Sequence, residues 1–240
     1  MASDPRAAGE AADRLPDRAD RERFGGYGVM GLPFAGGHYL ASRHFPASSI
    51  GPGYDSVWLR DPGGRWTIFS SAPPSSSCPR YFAAAVDETV STPITVTWPD
   101  PFALSVEVPH RLVWDLLLVA TPATRAMTVA GRLLPAAAWR NGAVLATMSR
   151  IAGPMLGVGR VALTGTAPNG QSFQTNPRMV WAVADSHAHI DGVDAGRPGP
   201  LPEQAHLGDF WLPQRGMFAI GEAFFAPFDA QRHRAASPGE

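Results

Sequence analysis

The chain has 240 residues, of which 45% are hydrophobic and 17% are charged, so it has enough apolar material for the core of one large domain. Its formal net charge is −1 and its isoelectric point is near 6.7, values that favour neither nucleic acid nor an anionic membrane surface as a partner. All 20 basic residues are arginine and only one residue is cysteine, which excludes lysine Schiff-base chemistry, a P-loop lysine, an internal disulfide and a cysteine-rich zinc module.

Residues 1–23 are rich in Ala, Asp, Arg and Glu and contain no apolar run. This composition predicts a disordered tail rather than a secretory signal. The longest apolar region, 126–159, is interrupted by three arginines and therefore lacks the pattern of a membrane span. We expect a cytoplasmic protein that is not inserted in a membrane.

Three hairpins are predicted where alternating or β-branched stretches flank a turn signal. The first spans 54–71 and turns at Asp61-Pro62-Gly63-Gly64. The second joins 94–98 to 103–108, and the third turns at Pro168-Asn169-Gly170. Asn and Gly favour such turns because they tolerate the positive φ that a tight reversal needs.

Residues 111–120 form a nearly continuous apolar stretch, which predicts a strand that is covered on both faces. Asp115 lies within this stretch, so its carboxylate needs a partner or has a raised pKa. One interpretation is a structural ion pair, and the other is a general acid or base whose pKa is tuned by desolvation. The candidate arginine partners are Arg43, Arg60 and Arg178.

The region 123–156 changes from strand to helix periodicity. Residues 123–134 predict a short helix that ends at Pro135. After it, apolar residues at helical spacing predict an amphipathic helix of about three to four turns. Its apolar face contains Leu145, Met148, Ile151, Ala152 and Met155. Outside this region, another short helix is predicted over 81–90, and Pro79 marks its start.

These elements together predict a mainly β fold with a helical insertion at about 123–156. Strands and helices do not alternate, so the pattern favours an antiparallel sheet, closed as a barrel or paired as a sandwich. We expect a single β-rich domain over 24–229 and a second disordered tail over 230–240.

The stretch after Met179 places titratable residues on an apolar strand. Successive side chains of a strand point to opposite faces, so Trp181, Asp185 and His187 are predicted to share a face with Met179 and His189. Such a face suggests a pocket wall that is apolar at one end and polar at the other. The alternative is a strand that leaves the core and exposes its polar residues to solvent.

Asp185-Ser186-His187-Ala188-His189 also has the Asp-x-His-x-His pattern that opens the TIM-barrel metal hydrolases. The residues that follow it are too few for a (β/α)₈ barrel, which needs roughly 200 or more. Two histidines at i and i+2 on a strand can still share a metal ion in another fold. A third ligand would then come from His38, His44, Asp55 or Asp209.

Tryptophan-bearing strands joined by hairpins are a further feature: RWTIFSS (65–71), RLVWDLLLVA (111–120) and PRMVWAV (177–183). Over about residues 27–192 this character resembles the lipocalin-like proteins of the carotenoid hydratase and natural-product cyclase group. The resemblance implies an apolar cavity, no cofactor, and chemistry by acid–base groups and shape.

The leading hypothesis from the sequence is a lipocalin-like β-barrel protein that binds a small apolar or polycyclic molecule and acts as a cofactor-free hydratase, isomerase or cyclase. One alternative is a non-catalytic carrier or interaction module with the same pocket. The other is a metal-dependent enzyme that uses His187 and His189. The candidate catalytic residues are Asp115, Asp185 and His187, and the candidate ligand-binding residues are Trp58, Trp66, Trp114, Trp181 and Tyr54.

Overall fold

The structure, a computed structural model, describes residues 4–235. Strands contain 42% of the residues and helices contain 20%, which confirms the prediction of a mainly β fold. The strands are β1 (Glu22–Pro33), β2 (Tyr39–Ser48), β3 (Tyr54–Arg60), β4 (Trp66–Ser70), β5 (Glu88–Ser91), β6 (Thr95–Asp100), β7 (Ala103–Val108), β8 (Leu112–Val119), β9 (Thr164–Thr166), β10 (Ser172–Ile190), β11 (Val193–Asp194), β12 (His206–Leu207), β13 (Phe210–Trp211) and β14 (Met217–Phe225). The helices are α1 (Pro5–Glu10), α2 (Pro79–Phe82), α3 (Pro122–Leu133), α4 (Ala136–Trp139) and α5 (Gly142–Leu156), with short 3₁₀ turns at Pro74–Ser76 and Ala83–Ala85.

Twelve strands form one large curled sheet, a half-barrel. Its main path runs β5-β4-β3-β2-β1-β14-β10-β8-β7-β6, and β9 and β11 pair with β10. Neighbouring strands are antiparallel except for β4 and β5, which are parallel. The path ends at β5 and β6, so the predicted antiparallel sheet is curled without being a closed ring of strands.

The three predicted hairpins are present as β3–β4, β6–β7 and β9–β10. Gly64 and Gly170 take positive φ values of 93° and 95° at two of the turns, a conformation that glycine adopts without steric cost. The predicted insertion at 123–156 contains α3, α4 and α5. The predicted helix over 81–90 is shorter: it starts at Pro79 as expected, but 88–91 form β5 against β4.

The concave side of the curled sheet is filled by side chains. Leu104 and Val106 of β7 and Val57 of β3 belong to the same buried cluster, although β3 and β7 are far apart along the sheet. Trp114 and Trp181 lie in this cluster with 0% and 3% exposure. The expected hollow within the curl is therefore absent from the part of the chain that the structure describes, and a packed core takes its place.

A second buried cluster covers the other face of β1–β4 and β14. It consists of alternate residues of those strands, such as Tyr39, Tyr54 and Trp58, together with α2 and the segment 201–212. The sheet thus has a packed core on its concave face and a second apolar layer on part of its convex face. The helical insertion adds to this second layer through α3, which contacts β10, and α5, which contacts β9.

The expectation that β8 is covered on both faces is wrong. Its burial alternates strictly: Leu112, Trp114, Leu116 and Leu118 are buried, while the residues between them are exposed. Asp115 lies on the exposed side, so it is not a buried carboxylate and needs no arginine partner. Apolar residues on both faces of a strand therefore do not ensure two-sided burial here, because nothing in the described chain packs on the convex side of β8.

Residues 1–23 are predicted to be a disordered tail, but the structure has helix α1 at Pro5–Glu10 and begins β1 at Glu22. Asp4 caps α1 by accepting a hydrogen bond from the Ala7 nitrogen at 2.7 Å. Gly9 packs against the ring of Tyr27, where a Cβ atom would come within 3.0 Å of the ring. Ala8 and Ala12 also pack against the concave core. Glycine and alanine do not identify a segment as core-forming in the sequence. Of the predicted second tail, residues 236–240 lie outside the described residues.

Candidate functional site

A cavity of about 130 Å³ lies between the convex face of the sheet and the helical insertion. Its walls are largely aromatic and aliphatic, and four of the seven methionines of the chain line it. The sheet contributes residues of β1, β2, β3, β10 and β14, and the opposite wall comes from α2, α3, α5 and the segment 210–213. The lining residues include Phe24, Met30, Arg43, Phe45, Tyr54, Trp58, Cys78, Tyr81, Phe82, Met127, Met148, Ala152, Leu156, Phe210, Trp211, Met217, Ala219 and Phe225.

Helix α3 is fixed on β10 where one edge of the strand has no strand partner. On that edge β9 pairs with residues 172–174 and β8 pairs from Ala182 onward, so the backbone groups between them are free for other contacts. Thr128 occupies this position: its Oγ1 accepts from the Val180 nitrogen at 3.0 Å and donates to the Val180 carbonyl at 3.3 Å. Gly131 allows the close approach, because a Cβ there would lie 2.8 Å from the Arg178 carbonyl.

Helix α5 carries the second part of the helical wall. It begins after Asn141, whose side chain accepts from two backbone nitrogens, and it ends at Gly157 with a left-handed φ of 64°. Ser149 Oγ accepts from the Leu163 nitrogen at 3.0 Å, which ties the helix to the strand segment that follows it. Ala152 is thereby placed on the cavity, buried to 5% exposure.

Helix α2 is held by a half-buried carboxylate at the start of β1. Glu22 accepts from Arg80 at 2.7 Å, from the Tyr81 hydroxyl at 2.6 Å and from Gln171 Nε2 at 3.0 Å. Burial alone would raise the pKa of Glu22, but these hydrogen bonds outweigh it and the pKa is lowered. The network fixes the ring of Tyr81, which stacks on Phe225 with 3.7 Å between ring centres.

Arg43 is the charged residue at the centre of the sheet wall, with only 6% exposure. Its Nη1 donates to the carbonyls of Val29 and Ser42, both at 2.7 Å, and its Nη2 donates to the Met30 carbonyl at 3.4 Å. These carbonyls are free because the pairing of β1 with β2 is irregular between Tyr27 and Leu32. No salt bridge joins Arg43 to a carboxylate of residues 4–235.

Aromatic rings cover the guanidinium group. Arg43 Cζ lies 5.0 Å from the ring centre of Trp58 and 5.9 Å from that of Phe210, and both rings line the cavity. Burial lowers the pKa of Arg43, but an arginine remains protonated in a protein. The cavity therefore contains one positive charge, stabilised by carbonyl dipoles and aromatic faces rather than by a counterion.

Three further polar groups lie beside Arg43. The Tyr54 hydroxyl and the Cys78 thiol are 3.5 Å apart, and either can donate to the other. Trp58 Nε1 is buried and has no acceptor at hydrogen-bond distance within 4–235, although the indole lies near the Cys78 sulfur and opposes the rise that burial causes in the pKa of that thiol. Burial raises the pKa of both Tyr54 and Cys78, so both are neutral near pH 7.

The three candidate catalytic residues lie elsewhere, on the convex face of β8 and β10. Asp115 and His187 are direct neighbours across the two strands, and His187 Nε2 is 3.4 Å from a carboxylate oxygen of Asp185. The side chains of His187 and Asp185 are 74% and 63% exposed. None of the three lines the cavity.

A β-bulge explains this placement. In the pairing of β10 with β8, Val183 is opposite Leu118 and Asp185 is opposite Leu117, so Ala184 is an extra residue. An extra residue reverses which side chains face the core. The prediction that Trp181 and His187 share a face is therefore wrong: Trp181 is buried in the concave core, whereas His187 is exposed.

The histidines proposed as metal ligands are not brought together. His44 and Asp55 pair with each other, with 2.6 Å between Nδ1 and the carboxylate oxygen, on β2 and β3. Asp209 instead accepts from the Thr166 nitrogen. Across the described residues, no group of three or more His, Cys, Asp or Glu side chains is placed to hold a metal ion, so His187 and His189 have no third ligand there.

The candidate ligand-binding residues divide into two groups. Trp58 and Tyr54 line the cavity. Trp114 and Trp181 belong to the concave core, and Trp66 packs in the second cluster without reaching the cavity. Trp114 Nε1 donates to the Ser186 hydroxyl at 2.9 Å, so this indole has a complete structural role.

Arg43, Cys78 and Phe210 line the cavity, although the sequence does not identify them as cavity residues. In the sequence Arg43 is a candidate partner for Asp115, and Phe210 lies in an aromatic-rich segment with no motif. One signal was available: Arg43 lies between Ala41 and Phe45 on one face of β2, so it is a charged residue on an otherwise apolar face. The element that covers this face could not be derived from that pattern.

No protein-family model matches this sequence, and no curated protein matches it. Among solved structures, the chain is similar to acetoacetate decarboxylase from Legionella pneumophila, with 8% sequence identity, a TM-score of 0.40, and coverage of 89% of this chain and 87% of that chain. A TM-score at this level supports no inference about function.

The lipocalin-like resemblance agrees with the structure in its coarse part, a mainly β chain with a curled sheet. Its specific part stays a prediction. Within the described chain, no helix is both long and apolar enough to cross a membrane.

Proposed function

We propose that this protein binds a small, mainly apolar molecule in the cavity between the convex face of the sheet and helices α3 and α5. The observation that carries the proposal is the cavity itself: it is walled by aromatic and methionine side chains, whereas the concave core is filled. Methionine side chains adapt to irregular shapes, and aromatic side chains supply rigid apolar contact area.

The size of the cavity limits the ligand. A cavity of about 130 Å³ is close to the roughly 150 Å³ of an engineered apolar cavity that binds benzene. Of the small apolar or polycyclic ligand expected from the sequence, the size therefore favours a small apolar molecule with one ring or a short chain. For such a ligand of about eight heavy atoms, a Kd between about 1 mM and 1 µM is expected.

The proposal is for binding, since the groups at the cavity do not form an acid–base pair. Tyr54 and Cys78 are both neutral near pH 7, and Arg43 stays protonated. Glu222 also borders the cavity, but its carboxylate accepts from Arg178 at 2.9 Å and from Asn176 at 3.3 Å. A carrier or sensor of a small molecule fits this set of groups better than a hydratase or cyclase does.

The test is to fill the cavity from helix α5. Toluene is the probe, and its binding to the full chain is measured by ligand-observed NMR. The substitution Ala152→Leu places a larger side chain in the cavity, so binding should weaken at least tenfold while the thermal unfolding temperature stays equal or rises. The matched control is Ala143→Leu, the same substitution at an exposed position of the same helix, which should bind like the wild type. Equal binding by both variants, or no toluene binding by the wild type, would refute the proposal.

A further inference from the structure

The hydrogen bonds of Arg43 leave part of its guanidinium group unused. A guanidinium has five N–H donors. Two are used by Nη1, on the carbonyls of Val29 and Ser42, and one by Nη2, on the carbonyl of Met30. Among residues 4–235, Arg43 makes no further side-chain hydrogen bond from Nε or from the second N–H of Nη2, and the residue is only 6% exposed.

The structural role of Arg43 accounts for only three of the five donors. The three carbonyls are freed by the irregular pairing of β1 with β2, and the guanidinium satisfies them. A neutral donor such as glutamine or asparagine could satisfy carbonyls without burying a charge. Burying a charge without a counterion is unfavourable, so an anion that enters the cavity would gain the full interaction with this charge.

A second unused donor lies beside the first two. Trp58 Nε1 is buried, belongs to a residue of 1% exposure, and makes no hydrogen bond within residues 4–235. Its ring lies under the guanidinium carbon of Arg43 at 5.0 Å. Three N–H groups on two adjacent residues therefore lack acceptors at an otherwise apolar cavity, and the Tyr54 hydroxyl adds a neutral donor nearby.

No protein carboxylate competes for these donors. The acidic residue that borders the cavity, Glu222, is paired with Arg178. The other half-buried acid of this region, Glu22, is paired with Arg80. The positive charge of Arg43 is the unneutralised one at the cavity, so a monoanion balances it, while a dianion such as a phosphate monoester would leave a net negative charge buried.

We propose that the ligand is a small monocarboxylate with a single-ring or short-chain apolar body, and that Arg43 and Trp58 bind its carboxylate. This inference rests on the proposed function and specifies its ligand class. The planar guanidinium fork matches the two oxygens of a carboxylate, and hydrogen bonds to a charged group in a low-dielectric site are stronger than neutral ones. The aromatic walls then bind the apolar body of the ligand.

The test compares isosteric pairs of probes that differ in charge. Benzoate and benzamide form one pair, and butanoate and butanamide form a smaller pair. Each is titrated into the full chain at pH 7 and measured by isothermal titration calorimetry and by ligand-observed NMR. The carboxylate of at least one pair is expected to bind at least tenfold more tightly than its amide.

Variants assign the preference to the two residues. Arg43→Gln keeps donors for the carbonyls but removes the charge, and it should abolish the difference between carboxylate and amide. Arg43→Lys should restore less than the full difference, because a lysine lacks the planar fork. Trp58→Phe keeps a ring and removes Nε1, so it should weaken carboxylate binding several-fold and amide binding by less, because a hydrogen bond to a charged acceptor is stronger than one to a neutral carbonyl. Since Trp58→Phe leaves all bonds of Arg43 intact, it tests the proposal even where the Arg43 variants do not fold.

Arg60→Gln is the matched control. Arg60 is a half-buried arginine on β3 that donates to the carbonyls of Gly37 and Asp61 but does not line the cavity. Its replacement should leave the preference for carboxylates intact. Equal affinity for carboxylate and amide in both pairs would overturn the carboxylate assignment while leaving the proposed binding function in place. If neither the carboxylate nor the amide of either pair binds, and toluene does not bind, then the binding function and the ligand class are both refuted.

Discussion

The guanidinium carbon of Arg43 lies 5.0 Å from the ring centre of Trp58, on the face of the sheet that points away from the filled core. The two residues are diagonal neighbours on β2 and β3, since Arg43 pairs with Ser56 and Ala41 pairs with Trp58. Both line the cavity, and the indole N–H of Trp58 has no hydrogen-bond acceptor within residues 4–235. This contact between a cation and an aromatic face is the centre of the proposed site.

Two buried tryptophans should respond differently to the same substitution. Trp114 Nε1 donates to Ser186 at 2.9 Å, whereas Trp58 Nε1 has no partner among the described residues. Replacing each by phenylalanine removes a similar volume, but only Trp114→Phe leaves a buried hydroxyl unsatisfied. We expect Trp114→Phe to lower the free energy of unfolding by about 1–3 kcal/mol more than Trp58→Phe does. Urea denaturation measures both, and a larger loss for Trp58→Phe would contradict this assignment of hydrogen bonds.

Acid sensitivity should depend on Glu22. Burial raises the pKa of Glu22, but the hydrogen bonds from Arg80, Tyr81 and Gln171 lower it overall. A group whose pKa is lower in the folded state contributes stability above its unfolded pKa of about 4.3 and loses it as the pH falls through the folded pKa. Glu22→Gln should therefore cost about 1–3 kcal/mol at pH 7, and the difference from the wild type should shrink below about pH 4.

Urea denaturation between pH 3.5 and 7 measures the contribution of Glu22. The control is Glu107→Gln, which changes an exposed carboxylate on β7 and should shift the unfolding free energy by less than about 0.5 kcal/mol. A difference for Glu22→Gln that stays constant over this pH range would mean that its carboxylate does not have the lowered pKa described above.

The single cysteine should be unreactive. Burial raises the pKa of the Cys78 thiol, and this effect outweighs the opposing contributions of Tyr54 and Arg43. The thiolate is the reactive form, so at pH 8 the native protein should react with a thiol reagent at least about a hundredfold more slowly than the urea-unfolded protein. Following the reaction with dithionitrobenzoate measures both rates. Similar rates in the two states would show that Cys78 is exposed and that the aromatic wall of the cavity is open.

The convex face of β8 and β10 should tolerate substitution. Asp115 and His187 are both exposed there, away from the cavity. We expect Asp115→Asn and His187→Ala each to change the unfolding free energy by less than about 0.5 kcal/mol. They should also leave the binding of toluene and benzoate unchanged. Weaker binding in either variant would show that these residues take part in ligand binding, as the sequence predicts.

The sequence is sufficient to predict the mainly β fold, because the turn residues at 61–64 and 168–170 and the alternation around them act locally. It also predicts the helical insertion, since helix periodicity is a local property. It fails at Ala184, where one extra residue reverses the faces of the strand and moves Asp185 and His187 from the expected pocket wall to the solvent side. Bulges of this kind depend on the partner strand, which local patterns do not identify.

The position of the cavity could not be predicted for a related reason. A strand with two apolar faces, such as β8, suggests cover on both sides, but within residues 4–235 the second layer lies over β1–β4, β9, β10 and β14 and leaves β8 uncovered. Whether the helical insertion packs on one end of the sheet or the other depends on long-range contacts such as that of Thr128 with Val180. Arg43 therefore looks like a salt-bridge residue in the sequence and proves to be a buried charge at a cavity in the structure.

The most direct test of the account follows the indole N–H signals of the tryptophans in a ¹H–¹⁵N NMR titration with benzoate. The signals of Trp58 and Trp114 are assigned by their absence from the Trp58→Phe and Trp114→Phe variants. If benzoate binds at Arg43 and Trp58, the Trp58 signal shifts with saturating benzoate while the Trp114 signal, from the filled concave core, stays in place. A shift of the Trp114 signal with no change at Trp58 would contradict the account, since the ligand would then lie inside the curl of the sheet.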